Sequence, residues 1–201
     1  MTTILQGTGE PLRLDAQASA RMIGERINPS GRPALQQALL EQEWEYLARE
    51  AREQVQAGAD IIDVNVGGKG IDEEAFLPAA VQAVAAAVAV PLSIDTRQST
   101  ALEAALAVCP GRPLVNSIGG EDKILEQNLP IVAEHGLPVI ILCMGQEGIP
   151  SSAEERLRIA EQVSERAVQA GVKEEDLVFD PLVMTVGADD QAAHVALETI
   201  R

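Results

Sequence analysis

Short apolar runs that end in aspartate or asparagine recur along the chain, and this pattern constrains the fold more than any other feature. The runs are, in chain order, DIIDVN (60–65), LSIDT (92–96), LVNSI (114–118) and LVFDPL (177–182). Runs of this length separated by helical patterns favour strand–helix–strand units and a parallel sheet. Folds of this kind place their chemistry at the carboxyl ends of the strands, where these polar residues lie. The pattern predicts a polar, uncharged or acidic site that suits a flat, nitrogen-rich ring.

Six strand–helix units can be placed from residue 21 onward. The predicted strands cover 21–28, 60–64, 92–95, 114–116, 138–144 and 177–180, and the predicted helices cover 35–57, 73–88, 99–108, 121–135, 152–170 and 189–201. Pro130 divides the fourth predicted helix into two pieces, because proline removes a helical hydrogen bond. The fifth helix has the clearest start, since Ser152 and Glu155 have the spacing of a capping box. Alternation without hairpin signals indicates right-handed units and a parallel sheet.

Residues 1–20 differ from the rest of the chain. Two short apolar segments, 4–7 and 12–14, are separated by a turn and predict a small β-hairpin that caps the bottom of a barrel formed by residues 21–201. A closed barrel of this class has eight strand–helix units in about 250 residues. Six are found, so we expect a (β/α)8 barrel whose last two units follow residue 201. The alternative is a neighbouring chain that completes the sheet.

Composition excludes several classes of function. The formal net charge of −16 repels phosphate backbones, and four aromatic residues are too few to stack single-stranded nucleic acid. The longest apolar stretch, 79–90, is too short to span a bilayer and predicts a buried helix. We therefore expect no nucleic-acid partner and no membrane insertion. The acidic surface serves solubility or, alternatively, the docking of a basic partner.

The two cysteines predict a reducing compartment, which we take to be the cytoplasm. Cys109 and Cys143 fall in different predicted units and in no metal-binding or redox motif, so both are expected to be buried thiols. The histidines, His135 and His194, show no spacing of metal ligands. We expect no metal site and no Ser-His-Asp triad.

Asp95, Asn116 and Asp180 are the strongest candidates for ligand binding, because each ends a predicted strand at the same face. A carboxylate can accept two parallel N–H bonds from an amidine-like edge, such as the 2-amino-4-oxo edge of a pterin. An asparagine between two carboxylates can donate to a ring nitrogen and accept from a ring N–H. The alternative is that all three cap the following helices. Asn65 and Asn28 hold comparable positions, but both also suit tight turns.

Two further features have plainer interpretations. Glu25 and Arg26 are adjacent in the first strand and point to opposite faces, so one of them is expected to join an internal Glu–Arg network. The glycine-rich stretch 67–70 lacks the spacing of a phosphate-binding loop and is expected to be a flexible loop.

Six motifs in order resemble the methyltetrahydrofolate:corrinoid protein methyltransferases, and the folate domain of cobalamin-dependent methionine synthase is similar. The motifs are IGERIN (23–28), DVNVG (63–67), SIDT (93–96), NSI (116–118), MGQEGIP (144–150) and FDPL (179–182). The resemblance covers residues 21–201. It implies a pterin-binding (β/α)8 barrel, often a homodimer, in which Asp95, Asn116 and Asp180 match the pterin-binding residues. We further take Asn65, Asn28, Ser117 and Met144 as candidate substrate-binding residues.

The resemblance also implies a reaction. The family moves the N5-methyl group of 5-methyltetrahydrofolate to the cob(I)alamin of a separate corrinoid protein, and no protein residue becomes methylated. N5 must gain a proton or a strong hydrogen bond before the methyl group departs, so the enzyme positions the substrate and stabilises charge. In the family an asparagine on the seventh strand lies near N5. We expect its counterpart beyond residue 201 and name no catalytic residue in this chain.

Three other functions stay open. The chain could be a catalytically silent folate- or pterin-binding protein. It could be similar to dihydropteroate synthases, although these usually show Asn-Asp on the fourth strand and Met-His on the fifth, where this chain has Asn116-Ser117 and Cys143-Met144. The third is a barrel that handles sugars or acids and is unrelated to pterins.

Overall fold

The fold is that of a computed structural model, which describes residues 2–184 and 191–201. The chain divides into two compact units, Met1–Asn116 and Ser117–Arg201. Six parallel strands, each followed by helix, are found in the described residues, in the order predicted from the sequence. None of the helices in these residues is long and apolar enough to cross a membrane.

The first unit contains an N-terminal hairpin, three strand–helix steps and most of a fourth strand. Its elements are β1 (Thr2–Leu5), β2 (Leu12–Asp15), β3 (Ile23–Ile27), α1 (Pro33–Leu40), α2 (Trp44–Gln56), β4 (Ile61–Val64), α3 (Glu73–Ala87), β5 (Leu92–Asp95), α4 (Ser99–Leu106) and β6 (Leu114–Ile118), the last two residues of which belong to the second unit. Strands β3, β4, β5 and β6 pair in parallel in that order. Helices pack on this sheet through aliphatic residues such as Leu47, Val81 and Leu102, which are fully buried.

The predicted hairpin is present, and it lies against the amino ends of two strands. β1 and β2 pair antiparallel. The backbone of Gln6 exchanges hydrogen bonds of 2.8 and 3.0 Å with that of Arg112, just before β6, and the Gly9 amide donates to the Ala89 carbonyl, just before β5. Its role as a barrel cap stays a prediction.

The helix predicted over 35–57 is wrong in one respect, because the structure has two helices there. α1 ends at Leu40 and α2 begins at Trp44. Between them Gln42 adopts a left-handed conformation with φ of 56°, which an α-helix cannot contain. The break still allows one buried stripe, since Leu35, Leu39 and Leu47 are all fully buried.

The second unit contains two parallel strands and their helices. Its elements are α5 (Asp122–His135), β7 (Val139–Leu142), α6 (Ala153–Gln169), a short 3-10 turn (Glu174–Asp176), β8 (Leu177–Asp180) and α7 (Ala192–Ile200). β7 pairs in parallel with β8, from Val139 opposite Leu177 to Leu142 opposite Asp180. The first two residues of the predicted last helix, 189 and 190, lie outside the described residues.

Helix boundaries in the second unit confirm one prediction and correct another. The Ser152 side chain accepts a hydrogen bond from the Glu155 amide at 3.3 Å, so Ser152 is the N-cap that starts α6, as predicted. The predicted division at Pro130 is wrong, because α5 continues through it. Pro130 is exposed, so water can bond the carbonyl that loses its partner, and the helix is not interrupted.

Candidate functional site

Four polar side chains meet at the carboxyl ends of three neighbouring strands in the first unit. Asp63 and Asn65 alternate along β4 and its end, so both face the same side of the sheet. Asp95 lies opposite Asn116 in the β5–β6 register, and Asp63 lies opposite Ser93. We call Asp63, Asn65, Asp95 and Asn116 the polar cluster. The structure thus brings together three residues predicted from the sequence, together with Asp63, which was missed.

Hydrogen bonds fix the side chains of the polar cluster in pairs. The Asn65 amide nitrogen donates to Asp95 Oδ2 at 2.7 Å, and the Asn116 amide nitrogen donates to Asp63 Oδ1 at 3.0 Å. The Gly67 backbone amide donates to Asn65 Oδ1 at 2.7 Å, which holds Asn65 in place. Each asparagine uses one of its two amide hydrogens in these pairs. Asn116 therefore keeps the capacity to accept through Oδ1 and to donate through its second N–H.

The two carboxyl groups of the polar cluster have raised pKa values. Burial and the adjacent charge of Asp95 raise the pKa of Asp63 to about 7, although the hydrogen bond from Asn116 lowers it. Burial also raises the pKa of Asp95, and the hydrogen bond from Asn65 offsets part of that shift. Burial therefore favours the neutral form of Asp63, which is the more deeply enclosed of the two carboxyl groups.

Two more carboxylates add negative charge around the polar cluster. The charges of Glu25 and Glu73 both raise the pKa of Asp95. Glu73, at the start of α3, accepts a hydrogen bond of 2.6 Å from the Thr96 hydroxyl. An environment rich in acceptors and negative charge favours ligands that present N–H donors rather than anionic groups.

The prediction that Glu25 or Arg26 joins a Glu–Arg network is confirmed for Arg26, but the predicted internal position is wrong, because the Arg26 side chain is 64% exposed. Arg26 donates from Nε to Glu50 Oε2 at 3.2 Å, and Arg32 donates to the same oxygen at 3.0 Å, so both arginines serve helix α2. Adjacent strand residues face opposite sides. Glu25 is therefore directed away from Arg26, and its charge acts on Asp63 and Asp95 instead.

Asp63 gave a signal that sequence reasoning could have used. It has the same parity along its strand as Asn65, and it interrupts an apolar run in which every residue is buried. A buried carboxyl needs a partner. The partner could not be predicted, because it depends on the register between β4, β5 and β6.

Asp180 lies in the second unit, at the end of β8. One of its carboxylate oxygens accepts from the Leu182 backbone amide at 2.8 Å, and its carbonyl accepts from the Cys143 amide at 3.0 Å. This turn uses only one carboxylate oxygen, so the other can still accept from a ligand. Asp180 is half-buried.

The remaining predicted residues, Asn28, Ser117 and Met144, are not part of the polar cluster. The Met144 carbonyl accepts from the Gly120 amide at 2.7 Å, and Ser117 is half-buried in β6. Asn28 Oδ1 accepts from the Ser30 amide at 3.0 Å, which is the tight turn considered as its alternative. The loop 145–151 and helix α6 line an open cavity of about 920 Å³ in the second unit. None of the predicted site residues lines that cavity.

Comparison with known proteins decides the family. The family described as pterin binding enzyme matches residues 24–201. The chain belongs to the pterin binding enzyme family. This confirms the resemblance at the level of the family, and residues 24–201 of this pterin-binding chain include the polar cluster and Asp180.

Two curated relatives and two solved structures place the pterin-binding chain further. It is 28% identical over 190 residues to methionine synthase of Mycobacterium tuberculosis and 26% identical over 189 residues to that of Mycobacterium leprae. These matches cover 91% and 90% of the chain but only 16% of each relative, so the chain spans about a sixth of their length.

The solved structures are both dihydropteroate synthases. That of Xanthomonas albilineans with 4-aminobenzoic acid has a TM-score of 0.70 at 21% identity and covers 96% of this chain and 73% of its own. That of Yersinia pestis with a pterine–sulfa conjugate has a TM-score of 0.65 at 24% identity and covers 95% and 69%. They show the fold, which is the pterin-binding (β/α) barrel fold expected from the sequence, with six parallel strands and their helices described in this chain.

Proposed function

We propose that this chain binds 5-methyltetrahydrofolate and serves the transfer of its N5-methyl group to the cob(I)alamin of a separate corrinoid protein. The observation that carries the proposal is the polar cluster, in which two asparagine amides hold two carboxyl groups at the ends of adjacent strands. The membership of the pterin-binding family and the likeness to methionine synthases support the choice of ligand.

The polar cluster has the donors and acceptors that a pterin edge requires. Asp95 accepts from the 2-amino group and the adjacent ring N–H, as carboxylates accept from paired donors. Asn116 accepts and donates at once, with its orientation set by Asp63. Asp63 is 1% exposed, so it acts behind Asp95 and Asn116 and holds a proton there. We further propose that Asp180 takes part in pterin binding through its second carboxylate oxygen.

Methyl transfer requires that the N5–methyl bond break with its electron pair left on N5, which then keeps a proton, while the corrinoid supplies the electron pair for the new bond to the methyl group. The chain's own residues bind and orient the substrate, which lowers the entropic part of the activation barrier for methyl transfer. Asn65, Asn28, Ser117 and Met144 stay predicted contributors to substrate binding. The corrinoid partner, a homodimer and a cytoplasmic location belong to the same proposal.

Titration calorimetry with tetrahydrofolate, followed by an anaerobic methyl-transfer assay, tests the proposal. The 201-residue chain is expected to bind tetrahydrofolate. When 5-methyltetrahydrofolate is added to a protein that includes this chain and to reduced corrinoid protein, the absorbance of the reduced corrinoid is expected to fall. Binding without methyl transfer would favour a silent folate-binding protein, and the absence of binding would refute both.

A dihydropteroate synthase is the second candidate, because the solved structures with this fold include that enzyme. The chain departs from it where Ser117 follows Asn116 and where Met144 follows Cys143. A protein that includes this chain is therefore expected to form no dihydropteroate from a pterin diphosphate ester and 4-aminobenzoic acid. Product formation would reverse the order of the two proposals.

A further inference from the structure

Arg156 is a buried cation that the proposed site does not use directly. It lies in the first turns of α6, and only 2% of it is exposed. Its Nε donates to the Pro150 carbonyl at 2.9 Å, and its Nη1 donates to the carbonyls of Pro181 and Leu182 at 2.6 and 2.7 Å. Burying a guanidinium is unfavourable unless hydrogen bonds compensate it. Three carbonyl oxygens from two loops provide that compensation.

Two of these carbonyls belong to the turn that follows Asp180. Leu182 in this turn has a φ of 61°, in the left-handed region, which is sterically unfavourable for a residue with a side chain. Such a conformation persists only where the surroundings enforce it. The Leu182 amide is bound to Asp180 Oδ1 at 2.8 Å, and its carbonyl is bound to Arg156.

We propose that Arg156 is a positioning residue for pterin binding, which holds the turn Pro181–Leu182 so that this turn sets the direction of the Asp180 carboxylate. A direct ion pair would occupy the carboxylate oxygen that the ligand needs, whereas a bond to the main chain leaves that oxygen available. The inference rests on the proposed function. It adds a residue on the outer helix layer that never touches the substrate.

Arg156→Lys is the informative variant, because lysine keeps the charge but cannot reproduce the planar fork of donors. We expect tetrahydrofolate to bind about tenfold more weakly to Arg156→Lys than to the wild type. Exchange of the Leu182 amide hydrogen, measured without ligand, is expected to be at least about tenfold faster. Arg158→Lys is the matched control, since Arg158 is exposed on the same helix and bonds only to Glu155 and Gln162 in the described residues. It should change neither quantity.

A double-mutant cycle with Asp180→Ala separates positioning from a general structural role. If Arg156 acts through Asp180, Arg156→Lys should change the affinity less than about twofold once the Asp180 carboxylate is gone. Equal losses in both backgrounds would overturn the inference, and so would unchanged exchange of the Leu182 amide. Should Arg156→Lys fail to fold, the same comparison is made on a Leu182→Gly background, where the left-handed turn has no steric cost.

The two proposals fail in different ways. If the wild type binds no tetrahydrofolate, the proposed function is refuted and the part of the inference that concerns substrate is overturned with it. If the wild type binds and Arg156→Lys binds equally well with a loosened turn, only the positioning role is overturned.

Discussion

At the scale of single residues, the polar cluster holds two neighbouring carboxyl groups whose pKa values are both raised by burial. Asp63 and Asp95 differ in burial and in the amide that each accepts from. Asp63 is enclosed and keeps its proton, because an ion there would lack water. Asp95 is half-buried and is the carboxyl group available to a ligand.

Asp63→Asn is expected to change how stability depends on pH. Because the folded-state pKa of about 7 lies above the ordinary value of 3.8, the wild type has the full contribution of Asp63 below about pH 4 and loses it as pH rises through 7. The asparagine keeps the shape and never ionises. The free energy of unfolding of the variant should therefore rise relative to the wild type between pH 4 and 7, by as much as about 4 kcal/mol at about 1.4 kcal/mol per unit.

Urea unfolding of both proteins at pH 5, 6, 7 and 8 measures this difference. Glu103→Gln, on the exposed face of α4, is the control and should give a nearly constant difference. A difference between Asp63→Asn and the wild type that does not change with pH would contradict a protonated Asp63.

Asp95→Ala and Asn116→Ala are each expected to weaken tetrahydrofolate binding by about 1–3 kcal/mol, the usual loss when one buried hydrogen-bonding partner is removed. Because Asn116 bonds Asp63, and Asp63 lies within the electrostatic influence of Asp95, the two losses should not add. Calorimetry on both single variants and the double variant measures this coupling. Strict additivity would show that the two residues bind ligand independently.

The positions of Asp95, Asn116 and Asn65 could be predicted because a strand end is marked locally, by an apolar run that stops at a polar residue. The pairing within the polar cluster could not. It depends on the register that sets Asp95 opposite Asn116 and Asp63 opposite Ser93, and no local pattern encodes that register.

At the scale of elements, a glycine allows the N-terminal hairpin to pack closely against the segment before β6. Gly111 has a φ of 79°, and a Cβ there would lie 2.3 Å from the Gln6 carbonyl oxygen. Gly136, which ends α5, has a φ of 60° but no atom within 4 Å of the same position. Gly111 therefore has both a left-handed backbone and a close contact with the hairpin, whereas Gly136 has only the left-handed backbone.

Gly111→Ala and Gly136→Ala therefore form a matched pair. Gly136→Ala is expected to lose about 1 kcal/mol, the cost of a left-handed alanine. Gly111→Ala should lose clearly more and should speed amide exchange in β1, because the hairpin must move away. Thermal unfolding and hydrogen exchange measure both. Equal losses with an undisturbed hairpin would show that the contact at Gly111 relaxes without cost.

Helix patterns were predictable where the buried face was continuous, and less so at interruptions. The break at Gln42 has no glycine or proline to mark it, so 35–57 was interpreted as one helix. Pro130 gave the opposite error, because a proline on an exposed face can be accommodated. In both cases the outcome depends on which side of the helix meets the core.

At the scale of the whole chain, the order of the six strand–helix units was predictable, because each unit carries its own alternation of apolar run, turn and helical stripe. The division into Met1–Asn116 and Ser117–Arg201 was not. Its boundary falls inside β6, within a continuous strand pattern, and no change of composition marks it.

The excess of acidic residues is a property of the whole chain, and it predicts that salt stabilises the fold. A formal net charge of −16 makes the folded chain repel itself. Raising NaCl from about 10 to about 150 mM shortens the screening length from about 30 to about 8 Å, so the melting temperature should rise. Replacing the exposed acids Glu103, Glu126 and Glu134 with glutamine should raise the melting temperature at low salt and reduce the further gain from NaCl. A melting temperature that falls with salt would instead mean that surface ion pairs such as Arg21–Asp60 outweigh the repulsion.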